Sequence, residues 1–198
     1  MSPPDPAGDP SHEGAPAPGA PTVIGFAGHS GVGKTSLLVS LVEALGRRGH
    51  AVGALKHASH GFEADRPGKD SHRIYESGAA AVAIISREQI ATFTRNDSRR
   101  SSEVCLSTAL ATLPRGIDVV LAEGFSWEPI PRVVLFPEDK EPDPEHLRHG
   151  EVVALVPVPP AAQGRPPVHP PERIEELIRI IEEHMAGSGA RRGGEVGR

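Results

Sequence analysis

The sequence predicts an α/β fold in which a mostly parallel β-sheet carries helices on both of its faces. Three observations lead to this prediction. Short apolar runs alternate with amphipathic segments along the chain, which is the pattern of βαβ units. A glycine-rich phosphate-binding pattern joins the first run to the first amphipathic segment. A later run over residues 117–122 is apolar and rich in β-branched side chains, as in a strand buried on both faces.

The first elements are a strand–loop–helix unit and a neighbouring strand. Residues 22–27 (TVIGFA) are a predicted strand, and 34–48 are a predicted helix because leucine and valine recur there at helical spacing. Gly49 is the expected helix stop. Residues 51–56 (AVGALK) are the second predicted strand, and a polar loop over 58–68 follows it.

The remaining segments continue the alternation. A hairpin is expected where two short apolar runs follow each other closely. The predicted elements are a helix over 69–76, hairpin strands over 80–85 and 89–94, a helix over 101–113 with Ser101 or Ser102 as its cap, strands over 117–122, 132–136 and 152–156, and a helix over 171–185.

One folded domain over residues 21–186 is expected between two disordered tails. Residues 1–20 are rich in proline, glycine and alanine, and residues 187–198 are rich in glycine and arginine. Such segments bury too little apolar surface to offset the entropy lost on ordering. The part between them is long enough to enclose a substantial core.

Composition argues against several classes of partner. The formal net charge is −5 and no basic stripe alternates with aromatic residues, so a nucleic acid ligand is not expected. No apolar run reaches the ~18 residues of a membrane span, and the first residues lack the apolar core of a signal peptide. The single cysteine, Cys105, cannot form an internal disulfide, which fits a cytoplasmic location. Its apolar surroundings predict a small core residue.

Residues 28–36 (GHSGVGKTS) match the phosphate-binding loop, or P-loop, between a predicted strand and a predicted helix. Glycines let the backbone curl so that N–H groups point at phosphate oxygens, and the helix start adds its positive dipole end. Lys34 should reach the β- and γ-phosphates, and Thr35 should hold Mg²⁺. The predicted fold is therefore P-loop NTPase-like. The expected nucleotide-binding residues are His29, Ser30, Gly31, Val32, Gly33, Lys34, Thr35 and Ser36.

A phosphate loop also needs an acidic group near Mg²⁺, and Glu123 is the best candidate. It ends the apolar strand 117–122, so it should face the loop from the carboxyl end of a neighbouring strand. It could hold metal-bound water or orient an attacking water. Lys34 and Glu123 are thus the candidate catalytic residues, and Thr35 and Glu123 the candidate metal ligands. An ordinary solvated carboxylate at the strand end is the alternative for Glu123.

A second polar patch over residues 56–73 should emerge on the same rim. Lys69, Arg73 and the helix start near Asp70 would suit an anionic group, such as a phosphorylated ligand. Two alternatives stay open, namely a metal pair formed by His57 and His60 and ordinary loop polarity. The guanine-reading pattern Asn-Lys-x-Asp is absent from the sequence. The residues therefore indicate a nucleoside triphosphate without specifying its base.

Five segments together resemble the MobB family of molybdopterin-guanine dinucleotide biosynthesis adapter proteins. They are GHSGVGKTS, LKHASH, DRPGKDSHR, GAAAV and LAEGF, and the similarity covers roughly residues 22–186. The resemblance implies a GTP-binding protein with weak Mg²⁺-dependent GTPase activity, usually a homodimer. It also implies a role in assisting the molybdenum cofactor guanylyltransferase, which joins GMP to molybdenum-bound molybdopterin. Molybdopterin or molybdopterin guanine dinucleotide is then a further ligand. The resemblance also carries a ligand-binding role over to the matching positions His57, Asp65, Lys69 and Asp70.

The chain departs from the family pattern at one place. The pattern has Ser-Asp after the last core strand, where a carboxylate could read guanine, whereas residues 156–160 here are VPVPP. Two other functions use the same phosphate loop. One is a small-molecule kinase with Glu123 as its base, although no arginine-rich lid is recognisable. The other is a metallochaperone-type GTPase that delivers a metal through His57 and His60.

Overall fold

The computed structural model describes residues 20–59, 61–63, 65–95, 105–160 and 167–190. Within these ranges strands and helices alternate in the predicted order. The elements are β1 (Thr22–Ala27), α1 (Lys34–Arg47), β2 (Val52–Lys56), α2 (Asp70–Glu76), β3 (Ala81–Ile85), β4 (Ile90–Thr94), α3 (Leu106–Leu110), β5 (Val119–Glu123), β6 (Arg132–Pro137), a 3₁₀ helix (Pro144–Leu147), β7 (Val152–Val158) and α4 (Pro171–Ala190).

Five strands form one parallel sheet in the order β2-β5-β1-β6-β7. Every pairing in this sheet is parallel, so the carboxyl ends of its strands lie at one edge. In the centre of the sheet Phe26 of β1 pairs with Glu123 of β5. Lys56 of β2 pairs with Glu123 from the other side. The register therefore confirms the predicted α/β fold and brings the predicted rim residues to one edge.

The sheet is covered on both faces because successive residues of a strand point in opposite directions. Leu121 of β5 lies in the main core, where α1 and α4 pack against the sheet. Its neighbour Val120 lies in a smaller cluster on the opposite face, with Leu106 of α3 and Phe125. The fully buried helix residues of the main core are Leu37, Leu41 and Leu45 of α1 and Leu177, Ile178 and Ile181 of α4.

The predicted hairpin is confirmed and forms a separate two-stranded sheet. β3 and β4 are antiparallel, with Val82 opposite Phe93. Ile85 and Ile90, at the closed end of the hairpin, have 71% and 72% of their surface exposed. A two-stranded sheet is only marginally stable by itself, so this hairpin depends on what packs beside it.

The prediction for Cys105 was wrong. It stands at the N-cap of α3, is exposed, and points away from the core, which receives Leu106 instead. The helix is also shorter than the predicted 101–113, because Thr112 and Leu113 donate three residues back, to Ala109 and Leu110, as in a turn. The predicted caps Ser101 and Ser102 lie outside the described residues.

The last helix is longer than predicted. α4 continues beyond Met185 to Ala190, so residues 187–190 of the expected disordered tail are helical. The apolar periodicity ends near Met185, but no proline follows that would stop the helix there. The rest of this tail and residues 1–19 lie outside the described residues. No helix in the described part of the chain is both long and apolar enough to span a membrane.

Candidate functional site

The loop between β1 and α1 is shaped by three glycines with positive φ. The φ angles are 141° at Gly28, 79° at Gly31 and 98° at Gly33. A Cβ atom on Gly28 would lie 2.4 Å from the backbone oxygen of Leu135, and one on Gly33 would lie 2.4 Å from Cγ of Pro167. Both outer glycines of the motif are therefore required by backbone conformation and by space.

The N-terminus of α1 is open toward this loop. Gly33 is the N-cap, no side chain caps the helix, and the first turn contains no acidic residue. The first N–H groups of a helix have no intrahelical partner. The positive end of the helix dipole is therefore uncompensated, as an anion site requires.

Lys34 lies across the loop. Its Nζ donates hydrogen bonds to the backbone oxygens of Gly28 at 2.7 Å and His29 at 2.8 Å. Burial lowers the pKa of Lys34; the nearby Glu123 carboxylate opposes this and the Lys56 ammonium adds to it. The ammonium is thus held over the loop, where a phosphate would add a charge-assisted hydrogen bond.

Glu123 joins the loop to the neighbouring strand β2. The hydroxyl of Thr35 donates to Glu123 Oε2 at 3.3 Å. Lys56 Nζ lies 3.5 Å from Glu123 Oε1. Only 12% of the Glu123 side chain is exposed, so the alternative of an ordinary solvated carboxylate does not fit. The structure therefore brings Lys34, Thr35 and Glu123 together as predicted and adds Lys56, whose part in this cluster sequence reasoning missed. We call residues 28–36 with Lys56 and Glu123 the phosphate-loop site.

The other loop residues take different positions. Val32 is buried in the main core and anchors the loop through its side chain. Ser30 and Gly31 are exposed at the tip of the loop. Ser36 lines an adjacent cleft of about 380 Å³. Its lining residues are Thr35, Ser36, Val39, Ser40, Pro167, Val168 and His169.

His29 contacts two residues that sequence reasoning did not single out. Its Nε2 lies 3.4 Å from Asp143 Oδ2, and its ring centroid is 5.1 Å from that of His146. Burial lowers the pKa of His146; Asp143 opposes this shift. The Asp-Pro start of the 3₁₀ helix is readable as a local turn signal. Its position beside the loop depends on the path of the β6–β7 connection and could not be predicted from the neighbouring residues in the sequence.

Arg132 fixes the segment that follows Glu123. It is only 1% exposed and donates to the backbone oxygens of Ser126, at 2.7 Å, and Glu128. Burial lowers its pKa. Sequence reasoning missed this residue because an arginine in a strand gives no sign of being buried.

The predicted patch over 56–73 divides into two parts. His57 follows β2 and packs edge-on against Phe125 and Trp127, with ring centroids 5.8 and 5.0 Å away. His57 thus forms an aromatic cluster with Phe125 and Trp127. Its backbone is also close to the residue after Glu123, because a Cβ on Gly124 would lie 3.1 Å from the His57 oxygen. His60 lies outside the described residues.

Asp65, Lys69 and Asp70 lie apart from the phosphate loop. Asp65 accepts hydrogen bonds from the Ser71 hydroxyl and from the backbone N–H of Arg66, and these bonds lower its pKa. Lys69 is the N-cap of α2 and Asp70 its first residue. Within the described residues no hydrogen bond or ion pair joins these three to the phosphate-loop site.

A cavity of about 640 Å³ lies beside Asp65 and is called the outer cavity below. Its walls combine aromatic and acidic side chains from the 61–67 loop, α2 and β4. The lining residues are Gly61, Phe62, Glu63, Asp65, Pro67, Ser71, His72, Tyr75, Glu76, Thr92, Phe93 and Thr94.

The segment after β7 reaches the loop from the opposite side. His169 Nε2 lies 3.4 Å from the Gly33 oxygen, and Val158, Pro159 and Pro160 line a small cleft with Gly31. Residues 156–160, VPVPP, thus offer prolines and valines at this place and no carboxylate.

A central parallel strand, a glycine-rich loop and a helix that begins at that loop define a P-loop NTPase-like protein. The chain belongs to the MobB family, described as molybdopterin guanine dinucleotide synthesis protein B, whose family profile matches residues 23–157.

Characterised relatives agree with this assignment. The chain is 35% identical over 135 residues to the molybdopterin-guanine dinucleotide biosynthesis adapter protein of Escherichia coli K12, which covers 67% of this chain and 77% of the relative. It is 36% identical over 124 residues to the protein of the same name from Haemophilus influenzae, with coverage of 62% and 68%.

Solved structures give the same result for the fold. A crystal structure of molybdopterin-guanine biosynthesis protein B matches 83% of this chain and 99% of its own, with 26% identity and a TM-score of 0.57. A MobB homologue from Bacillus stearothermophilus matches 81% and 98%, with a TM-score of 0.58. Its identity of 24% supports the fold alone.

Proposed function

We propose that the protein is a GTP-binding adapter with weak GTPase activity that assists conversion of molybdopterin to its guanine dinucleotide form. The observation that carries this proposal is the phosphate loop with Lys34 across it and the Thr35–Glu123 pair beside it, in a chain of the MobB family. The guanine part rests on the names of the relatives, because no described side chain identifies a guanine reader.

Each loop residue has an assigned role. The main-chain N–H groups over 29–36 enclose the β- and γ-phosphates, and Lys34 exchanges its carbonyl partners for phosphate oxygens. Thr35 and Glu123 hold Mg²⁺, since a hydroxyl and a carboxylate 3.3 Å apart are the oxygen donors that this ion prefers. Lys56, whose Nζ lies 3.5 Å from Glu123 Oε1, holds the carboxylate in place. The cleft beside Ser36 and His169 receives the nucleoside.

Hydrolysis should be slow. Within the described residues, no arginine forms a hydrogen bond or ion pair with the phosphate loop or with Glu123. A P-loop site without an arginine finger gains about 10³–10⁵-fold when a partner supplies one. Turnover of GTP by the isolated protein is therefore expected below about 1 s⁻¹, with Glu123 orienting the attacking water.

The outer cavity is the proposed place for a molybdopterin-type ligand. Phe62, Tyr75 and Phe93 offer rings on which a flat pterin could stack, and Asp65 offers a carboxylate to its N–H groups. Lys69 and Asp70, at the start of α2, adjoin the lining residue Ser71 in sequence, and His57 follows β2 a few positions before the 61–67 loop. We assign these four polar residues to contact with this second ligand.

The protein is also proposed to be a homodimer in the cytoplasm. The β3–β4 hairpin exposes Ile85 and Ile90 and lies outside the main sheet, and exposed apolar strands are sites of pairing with another chain. The double variant Ile85→Glu, Ile90→Glu should be monomeric in sedimentation velocity, whereas Leu155→Glu, on the exposed side of β7, should stay dimeric. Equal masses for wild type and the double variant would remove the hairpin from the interface.

The adapter role is tested by reconstitution. The molybdenum cofactor guanylyltransferase is given molybdopterin, GTP and Mg²⁺ with or without this protein, and the guanine dinucleotide is quantified. We expect a higher yield with wild type and with the control Lys140→Ala, which removes an exposed lysine outside the phosphate loop. Lys34→Ala should not raise the yield. Equal yields in all mixtures would reject the adapter role. Rapid transfer of phosphate from ATP to a small acceptor would favour the kinase.

A further inference from the structure

A histidine–aspartate–histidine cluster lies where the 3₁₀ helix meets the phosphate loop. His29, Asp143 and His146 each offer one ligand atom, and these atoms all lie within 4.8 Å of one another. The cluster joins the β1–α1 loop to a segment more than a hundred positions away in sequence. The proposed GTP site uses the backbone of His29 and leaves its imidazole without a role.

The spacing of the donor atoms suits a small transition-metal ion. Zn²⁺ binds histidine nitrogen and carboxylate oxygen at about 2.0–2.1 Å, which places neighbouring donors of a tetrahedral site about 3.3 Å apart. The pair His29 Nε2 and Asp143 Oδ2 already has a separation of 3.4 Å. The side chain of His29 is 62% exposed, so rotation about its own bonds can close the longer separations without disturbing the core.

The imidazole of His146 has no hydrogen-bond partner in the described part of the chain. Its Nδ1 and Nε2 are both buried, and neither has a hydrogen-bond partner within the described residues. A buried polar group without a partner destabilises the folded state, and native proteins rarely leave one unexplained. A metal ion bound to one of these nitrogens would remove that destabilisation in part.

Asp143 is held in a ligating orientation by its own turn. Its Oδ1 accepts a hydrogen bond from the backbone N–H of Glu145 at 2.9 Å, which leaves Oδ2 facing His29. The backbone oxygen of Asp143 accepts from the N–H of His146 at 3.0 Å. These bonds fix two of the three candidate ligands relative to each other, as partners behind metal ligands commonly do.

We propose that His29, Asp143 and His146 bind a divalent cation of the zinc class. Two imidazole nitrogens and one carboxylate oxygen suit Zn²⁺, Co²⁺ or Ni²⁺, whereas Mg²⁺ and Ca²⁺ prefer oxygen donors alone. A fourth position stays open to water, as in other three-ligand zinc sites. The ion would tie the phosphate loop to the 3₁₀ helix, so this site is separate from the Mg²⁺ site at Thr35 and Glu123.

The test is a calorimetric titration of the full-length protein with ZnCl₂, followed by Co²⁺ absorption spectroscopy. Wild type is compared with His146→Gln and with Asp143→Asn, which keeps the cap on Glu145 but loses the charge. The matched control is His149→Gln, a change at an exposed histidine on the same segment outside the cluster. Circular dichroism establishes that each variant is folded.

We expect the wild type to bind one Zn²⁺ per chain. When Co²⁺ is bound instead of Zn²⁺, the spectrum should show the intense absorption of four-coordinate Co²⁺. Substitutions behind metal ligands already cost about 10–100-fold in affinity, so His146→Gln should cost about 100-fold or more and Asp143→Asn at least about 10-fold. His149→Gln should bind like wild type. Zinc binding should also slow amide hydrogen exchange over 29–33 and 143–147 together. Equal affinities for wild type, His146→Gln and Asp143→Asn, or a weak six-coordinate Co²⁺ spectrum, would overturn the proposal.

Discussion

The phosphate-loop site and the outer cavity are built in different ways. In the first, contacts join segments that are distant in sequence, such as Thr35 and Glu123, which are 88 positions apart. In the second, the hydrogen bonds that Asp65 accepts within the described residues come from its near neighbours Arg66 and Ser71, and Phe62 is 77% exposed. We therefore expect the first site to be organised before its proposed ligand binds, and the second to gain order from its proposed ligand.

The largest effect is expected for Arg132→Ala, which tests whether the phosphate-loop site is rigid. This change removes the guanidinium donors from the part-buried backbone oxygens of Ser126 and Glu128, and only the Glu128 oxygen keeps another donor, the N–H of Ile130, within the described residues. Loss of a buried charged donor of this kind costs about 3 kcal/mol, so urea unfolding should show that decrease in stability. Arg148→Ala, at an exposed arginine, should change it by less than about 0.5 kcal/mol. A similar small change for both variants would mean that the segment after Glu123 is not held in this way.

The next effect is on GTP affinity. Lys34→Ala removes a charge-assisted contact to phosphate worth about 1.5–3 kcal/mol, so calorimetry should give a Kd about 100-fold weaker. The melting temperature should hardly change, since the Nζ contacts only two carbonyl groups of the loop. Lys140→Ala should bind GTP within about twofold of wild type. Unchanged affinity in Lys34→Ala would place the nucleotide elsewhere.

A smaller effect separates the two regions. Asp65→Asn should leave GTP affinity within about twofold, because no hydrogen bond or ion pair in the described part of the chain joins Asp65 to the phosphate-loop site. It should weaken binding of a molybdopterin-type ligand about 10-fold, the equivalent of one lost hydrogen bond. Pterin fluorescence follows the second ligand and calorimetry the first. A large loss of GTP affinity would show that the two regions form a single site.

The smallest effect is a difference in pH dependence. Burial lowers the pKa of His169 below its usual 6.5; the Gly33 oxygen opposes this and Arg173 adds to it. The unfolded chain then binds the proton more readily, so stability is full above pH 6.5 and is lost as the pH falls through the folded pKa. His169→Gln should flatten the decline of melting temperature between about pH 7 and 5. The pKa of Asp65 is lowered from 3.8, so Asp65 should change the melting temperature only below about pH 4. Identical pH profiles for wild type and His169→Gln would show that His169 does not cause this loss of stability.

Much of the fold was readable because its signals are local. β1 spans the predicted residues 22–27, and the turn glycines and helical leucines that follow specify the loop and α1. The position of Glu123 was also predictable, since parallel strands align their carboxyl ends. The extent of α3 was not, because its apolar spacing continues through Cys105 and Leu113 although the backbone is extended at Cys105 and forms turns at Thr112 and Leu113.

The pairs that complete the site were beyond local reasoning. Lys56 could be placed at the rim, but its contact with Glu123 depends on the register of β2 with β5. The approach of Asp143 to His29 depends on how the β6–β7 connection returns over the loop. Such contacts are set by tertiary packing, and the periodicity of a single sequence does not predict them.

The most direct test is an amide ¹H–¹⁵N correlation spectrum recorded while GTP and Mg²⁺ are added. The N–H groups over 29–36 should surround the phosphates, so we expect the largest shifts there, with Gly31 and Gly33 foremost. The amides over 65–75, beside the outer cavity, should hardly move. The reverse pattern, with the largest shifts over 65–75 and little change over 29–36, would contradict the assignment of the nucleotide to the phosphate loop.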